Sequence, residues 1–124
     1  MNIELTDKEF RRLLDLVYIG NWILNSTREK DRFEDYDILQ EKLFALCAKN
    51  GMNALISRWQ GHIFPSSAYE NGGIHEAIAD YEDAVFFDIL AEELARRDLG
   101  CLDSEPADYT ELNARMDEYM DEFE

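Results

Sequence analysis

Basic residues are scarce in this chain: 12 lysines and arginines stand against 28 aspartates and glutamates in 124 residues, a formal net charge of −16. A surface of that sign repels phosphate backbones and anionic bilayers. It therefore argues against direct contact with nucleic acid or membrane, and leaves basic proteins or metal ions as the electrostatically favoured partners. Proline and valine are also rare, two of each, whereas Leu, Glu, Asp and Ala abound, a mixture that favours helix over sheet. The two cysteines, Cys47 and Cys101, form neither a CxxC pair nor a disulfide framework of the secreted type. Cys47 falls at helical spacing with Leu39, Leu43 and Leu46 and reads as a buried, reduced thiol. No long hydrophobic run occurs: the stretch from Leu13 to Leu24 is broken by Asp15, Gly20 and Asn21 and is too short to span a bilayer. The first five residues lack the basic start of a secretion signal, so a cytoplasmic location is expected.

What is present suffices for a core. A hydrophobic fraction of 46% with 12% aromatic residues, in a chain of one-domain length, points to a single domain over residues 1–124. Thr6-Asp7-Lys8-Glu9 is a capping-box pattern that starts a helix over 7–25. Phe10, Leu13, Leu14, Val17, Trp22 and Leu24 form its inward stripe, and Leu16, Ile19 and Ile23 extend the apolar surface around it. Such a helix suits the centre of a bundle or, alternatively, a homodimer contact. A second helix is predicted over 32–50, facing inward with Tyr36, Leu39, Leu43, Leu46 and Cys47 and stopped by Gly51. A short third helix is predicted over 53–59, a long loop over 60–73, a fourth helix over 74–99 and a fifth over 107–123. The expected fold is all-α, an irregular bundle of four to five helices with one long loop. The last 22 residues hold nine acids against Arg115 alone, yet Leu112, Met116, Tyr119 and Phe123 recur at helical intervals. Such a stripe is expected to pack back on the bundle as its closing helix.

The segment Leu14-Asp15-Leu16-Val17-Tyr18-Ile19-Gly20-Asn21-Trp22-Ile23-Leu24-Asn25, after Leu5-Thr6-Asp7-Lys8-Glu9-Phe10, resembles the N-terminal part of short bacterial proteins of unknown function. The resemblance covers about the first quarter of the chain and implies a bacterial source but no catalytic residue. Within it, Gly20 suggests a close approach by another helix.

Three constellations carry chemical possibilities. Glu34, Asp37 and Glu41 share one helix face, as do Glu76, Asp80 and Asp83, and carboxylates so arranged suit Mg²⁺. Glu34-x-x-Asp37 and Asp80-x-x-Asp83 are similar to the paired carboxylates of all-α nucleotide pyrophosphohydrolases of the MazG type, which use Glu-x-x-Glu followed by Glu-x-x-Asp. That resemblance implies a Mg-dependent hydrolase, but most of the glutamates are not kept and no basic residue adjoins Asp80 to meet phosphates. His62 and His75 belong to no metal or nucleophile motif and read as surface or capping residues. Arg58, Trp59, His62, Phe64 and Tyr69 gather rings and an arginine around the predicted loop, a composition typical of binding anchors. Together these features point to a non-enzymatic interaction or structural protein with a basic protein or a second copy as partner. The alternatives are a nucleic-acid mimic that occupies a basic protein, or the Mg-dependent hydrolase.

Overall fold

A computed structural model describes residues 1–102, 104–106 and 108–124. These are mostly helical, with four helices of a dozen residues or more and one two-stranded sheet, so the fold class is all-α. None of the described helices is long and apolar enough to cross a membrane. The chain divides into two compact units, Met1–Glu76 and Ala77–Glu124.

The first unit opens with α1 (Asp7–Asn25), fixed by the capping box read from the sequence. The Glu9 amide donates to Thr6 Oγ1 at 3.1 Å and the Thr6 amide to Glu9 Oε1 at 3.0 Å, which satisfies two otherwise orphaned donors. The face that α1 buries is not its most apolar one. Phe10, Leu14, Tyr18, Asn21 and Asn25 are buried, while Leu16 and Ile23 are 70% and 61% exposed. The helix is therefore not central on all sides, and Asn21 and Asn25 are buried in place of the expected leucines because both find hydrogen-bond partners inside. Gly20 receives no close approach, since a Cβ built there meets nothing within 4 Å.

Helix α2 is shorter than the sequence suggests, Glu34–Ala45, and tightens into a 3₁₀ turn over Leu46–Ala48. Asp31, ahead of it, accepts from Arg28 Nη1 and the Glu29 amide and does not cap the helix. Its buried residue is Phe44, followed by Cys47, whereas Tyr36, Leu39 and Leu46 are exposed. Gly51, with φ 70°, lies in the left-handed region and reverses the chain.

The largest correction falls on 53–73. In place of a helix over 53–59, a 3₁₀ turn at Asn53–Leu55 leads into strand β1 (Ile56–Trp59), which pairs antiparallel with β2 (His62–Pro65). Only Gln60 and Gly61 join Trp59 to its partner His62, and their φ values of 49° and 80° make a two-residue turn of the type I′ class. Gln-Gly is a weaker turn signal than Asn-Gly, and Leu55, Ile56 and Trp59 satisfy helical spacing equally well; pairing decided the outcome. The rest of the predicted loop is ordered too: Ser66 caps the single turn α3 (Ser67–Tyr69), and a wide turn over Glu70–Ile74, with Gly73 at φ 111°, feeds α4 (His75–Asp98). Ser66 Oγ accepts from the Tyr69 amide at 3.2 Å and donates to the Ala54 carbonyl at 2.6 Å, tying this segment to the turn before β1.

These ties deliver Tyr69 into the core. Leu14, Phe44, Cys47 and Tyr69 are completely buried, and the Tyr69 ring meets Phe44 edge-on at 5.1 Å and Tyr18 at 5.3 Å. Burying such a side chain stabilises by roughly 1.5–3 kcal/mol each. The Tyr69 hydroxyl donates to Asp15 Oδ1 at 2.8 Å, and Arg11 holds the same carboxylate at 2.6 Å. Burial, with Asp15 adding to it, pushes the Tyr69 hydroxyl far above its ordinary pKa.

The second unit contains most of α4 and all of α5 (Tyr109–Phe123). Gly100, at φ 72°, ends α4: the Cys101 amide returns to the Arg96 carbonyl and the Gly100 amide to that of Arg97, a Schellman closure. Asp108 caps α5 by accepting from the Thr110 amide at 2.9 Å. Helix α5 starts at Tyr109; Asp103 in the predicted connector and Ala107, its predicted first helical residue, lie outside the described residues. The striped acidic helix returns along α4, with Phe123 5.4 Å from Phe87 and Leu112 buried. Asp98 joins the two helices by accepting from the Tyr119 hydroxyl and from Arg115 Nε.

Candidate functional site

The first unit holds a cavity of about 620 Å³ lined by α1, α2, the segment between them and β2. Helix α2 packs against both α1 and β2, so its polar residues form the floor between two ring-bearing walls. On the α1 side, Tyr18 and Trp22 stack at 6.2 Å and 25°. On the β2 side stand His62 and Phe64, 6.4 Å apart and on one face of the hairpin because they alternate with Ile63. Asp37, Gln40 and Glu41 line the floor, with Asn21 beside them.

Each lining carboxylate is anchored. Asp37 receives both Arg32 Nη2 at 2.8 Å and Nε at 3.0 Å, a two-pronged pair, and Asn21 Nδ2 at 3.0 Å. Arg32, with Asn21 assisting, holds the Asp37 carboxyl below its ordinary range. Glu41 Oε1 accepts from the Ile63 amide at 2.8 Å and faces His62 Nδ1 at 3.1 Å. The Ile63 amide first, and His62 second, keep the Glu41 carboxyl below its usual range. Glu41 Oε2 lies 3.4 Å from His62, so the outer side of that carboxylate is only loosely held. Asn21 passes the network inward. Its Oδ1 accepts from Asn25 Nδ2, which also donates to the Phe33 carbonyl, while the Phe33 amide returns to Asn25 Oδ1 at 2.7 Å.

Beside the cavity, the Tyr18 hydroxyl and His75 Nε2 lie 2.6 Å apart, and His75 stands edge-on to Trp22 at 4.8 Å. Desolvation, with Glu70 adding to it, raises the Tyr18 pKa. His75 thus braces two rings of the wall. Burial likewise raises the Cys47 thiol pKa, which disfavours its nucleophilic thiolate form.

The structure separates the five residues read as binding anchors. His62 and Phe64 line the cavity. Trp59, cross-strand neighbour of His62 and 67% exposed, shares their face of the hairpin without lining the cavity. Arg58 alternates to the opposite face, and Tyr69 is core, fully buried and out of reach of a partner. Of the carboxylates considered for a metal, Asp37 and Glu41 are held by Arg32, Asn21, Ile63 and His62, while Glu34 does not line the cavity. Among the described residues no three or more His, Cys, Asp or Glu side chains gather to hold a metal ion; this includes Glu76, Asp80 and Asp83. The sequence reading missed Tyr18, Asn21, Trp22, Arg32 and Gln40 as cavity residues. The available signal was the α1 spacing Tyr18, Asn21, Trp22, Asn25, which mixes amides and rings on one face.

The second unit concentrates charge instead. Residues 1–76 carry 12 acids and 9 bases, net −3, while residues 77–124 carry 16 acids and 3 bases, net −13. Among the described residues its three arginines engage Glu92, Asp98 and Glu118. Along α4, Glu82, Phe86, Ile89 and Glu93 form one exposed row at intervals of four, three and four. No family model, curated protein or solved structure matches this chain.

Proposed function

We propose that this is a non-enzymatic interaction protein whose second unit engages a basic protein partner. The observation that carries the reading is the net charge of −13 over residues 77–124, set on two helices that also expose apolar residues. Steering by such a field speeds association, and apolar residues between the acids supply the contact area. The test is association of the intact protein with a panel of basic proteins at low and moderate salt. Salt-sensitive binding is expected; equal or absent binding at both ionic strengths contradicts it.

The same charge favours a second reading, in which the carboxylates imitate nucleic-acid phosphates and occupy a DNA- or RNA-binding protein. Competition separates the two: a mimic is displaced by duplex DNA or RNA, whereas an ordinary acidic ligand is displaced only where the sites overlap. The Mg-dependent hydrolase would show Mg²⁺ binding by calorimetry with nucleoside triphosphate turnover.

A further inference from the structure

We infer that the cavity of the first unit is a cation cage that receives an alkylammonium group, between the Tyr18–Trp22 and Phe64 rings with the outer oxygen of Glu41 as its counter-charge. The sign of the ligand follows from the lining. Two carboxylates, Asp37 and Glu41, face one cation, Arg32, whose Nε and Nη2 both point at Asp37. Glu41 is the carboxylate with a loosely held oxygen, because its other oxygen already takes the Ile63 amide and the closer contact of His62. An anion would meet both carboxylates, whereas an ammonium is attracted by them and by aromatic rings such as those that line the cavity. The size follows from the volume: about 620 Å³ falls within the range of small-ligand pockets, roughly 300–1,000 Å³. An aliphatic chain would lie along Ile38, which lines the same cavity and is exposed. The inference stands on the geometry of residues 1–76 and does not depend on the acidity of the second unit.

The cation can be a free amine or the side chain of a protein lysine, and one experiment distinguishes them. Titration of the full-length, ¹⁵N-labelled protein with n-butylammonium, with N-acetyl-lysine methylamide and with the uncharged norleucine analogue is followed by amide and indole shifts. Saturable shifts at Trp22, Glu41, His62 and Phe64 are expected for the charged probes, with the norleucine analogue binding at least tenfold more weakly. Tighter binding of the lysine derivative assigns the cage to a protein side chain, and equal or tighter binding of butylammonium assigns it to free amines. Glu41→Gln keeps an acceptor for the Ile63 amide and should weaken the charged probe at least tenfold. Phe64→Leu, on an exposed strand position, should weaken it about two- to fivefold, the size of an exposed cation–π contact. Equal affinity for the norleucine analogue, shifts confined to residues 77–124, or no shift at all would overturn the cage. An unchanged Kd in both variants would do the same.

Discussion

The two units of this chain are organised on opposite principles. Residues 1–76 are nearly neutral for their size and hold together around buried rings and buried amides, with Tyr69, Phe44, Leu14, Asn25 and Cys47 all but inaccessible. Residues 77–124 carry most of the charge, and their two helices meet through Phe87 and Phe123 and an exposed hub at Asp98. Order in the first unit is specified by polar groups that must find each other in the interior, because a buried amide left without a partner costs about 1–3 kcal/mol. In the second unit, self-repulsion among like charges opposes compaction, and the same charge is what makes it attractive to a basic partner.

Substitutions test this contrast in order of expected size. Phe44→Ala should remove about 3–5 kcal/mol from urea-induced unfolding, with hydrogen-exchange protection lost across α1, α2 and the hairpin; a loss below about 1 kcal/mol would mean that the Phe44–Tyr69 contact is not the centre of that core. Ending the chain at Glu105 should cost the second unit roughly 2–4 kcal/mol, from the lost burial of Leu112 and Phe123. The readout is exchange at the amides of α4, and unchanged protection there would make α5 a detachable arm. Asn25→Ala should cost about 2–3 kcal/mol, since it strands the Phe33 amide and carbonyl at the start of α2. Asn25→Leu should not restore stability, which separates lost hydrogen bonds from lost volume.

The smallest expected effect is titration of Asp98. The Tyr119 hydroxyl, then Arg115, lower its carboxyl from the ordinary 3.8 to about 2. A carboxylate lowered in the folded state contributes stability that is full above the ordinary range and is lost as pH falls through about 2. Protection of the amides in the last turn of α4 and in α5, relative to their intrinsic exchange rates, should therefore fall between about pH 4 and pH 2, a window set by those two values. In Asp98→Asn the same amides should exchange faster already at neutral pH, with a weaker acid dependence. The contrast with the first unit would blur if both units loosened over that window alike in the variant and the parent.

Much of the fold was legible in the sequence because it rested on local chemistry. The Thr6–Glu9 box acts within a few residues and the stripe of Leu112 and Phe123 within one helix, and both are seen in the structure. The hairpin was not legible, because Ile56 to Pro65 fits either period and its order is secured from a distance: Glu41 on α2 takes the Ile63 amide. The buried face of α1 was misread for a related reason. Hydrophobicity ranks Leu16 and Ile23 above Asn21 and Asn25, yet the asparagines are buried since Phe33, Asp37 and Gln40 offer them partners. Of the candidate site, His62 and Phe64 were readable as ring-bearing residues near an irregular segment. The residues opposite them came together only through the packing of α2 between α1 and β2.

The most direct test of the division of labour is a titration of the full-length protein with a basic amphipathic helical peptide, followed by residue-resolved shifts at two salt concentrations. Binding that weakens steeply with salt, with the main shifts at Glu82, Phe86, Ile89 and Glu93 of α4, is the expected result. Binding that is indifferent to salt, or that leaves residues 77–124 unperturbed, would contradict the assignment of partner recognition to the acidic unit.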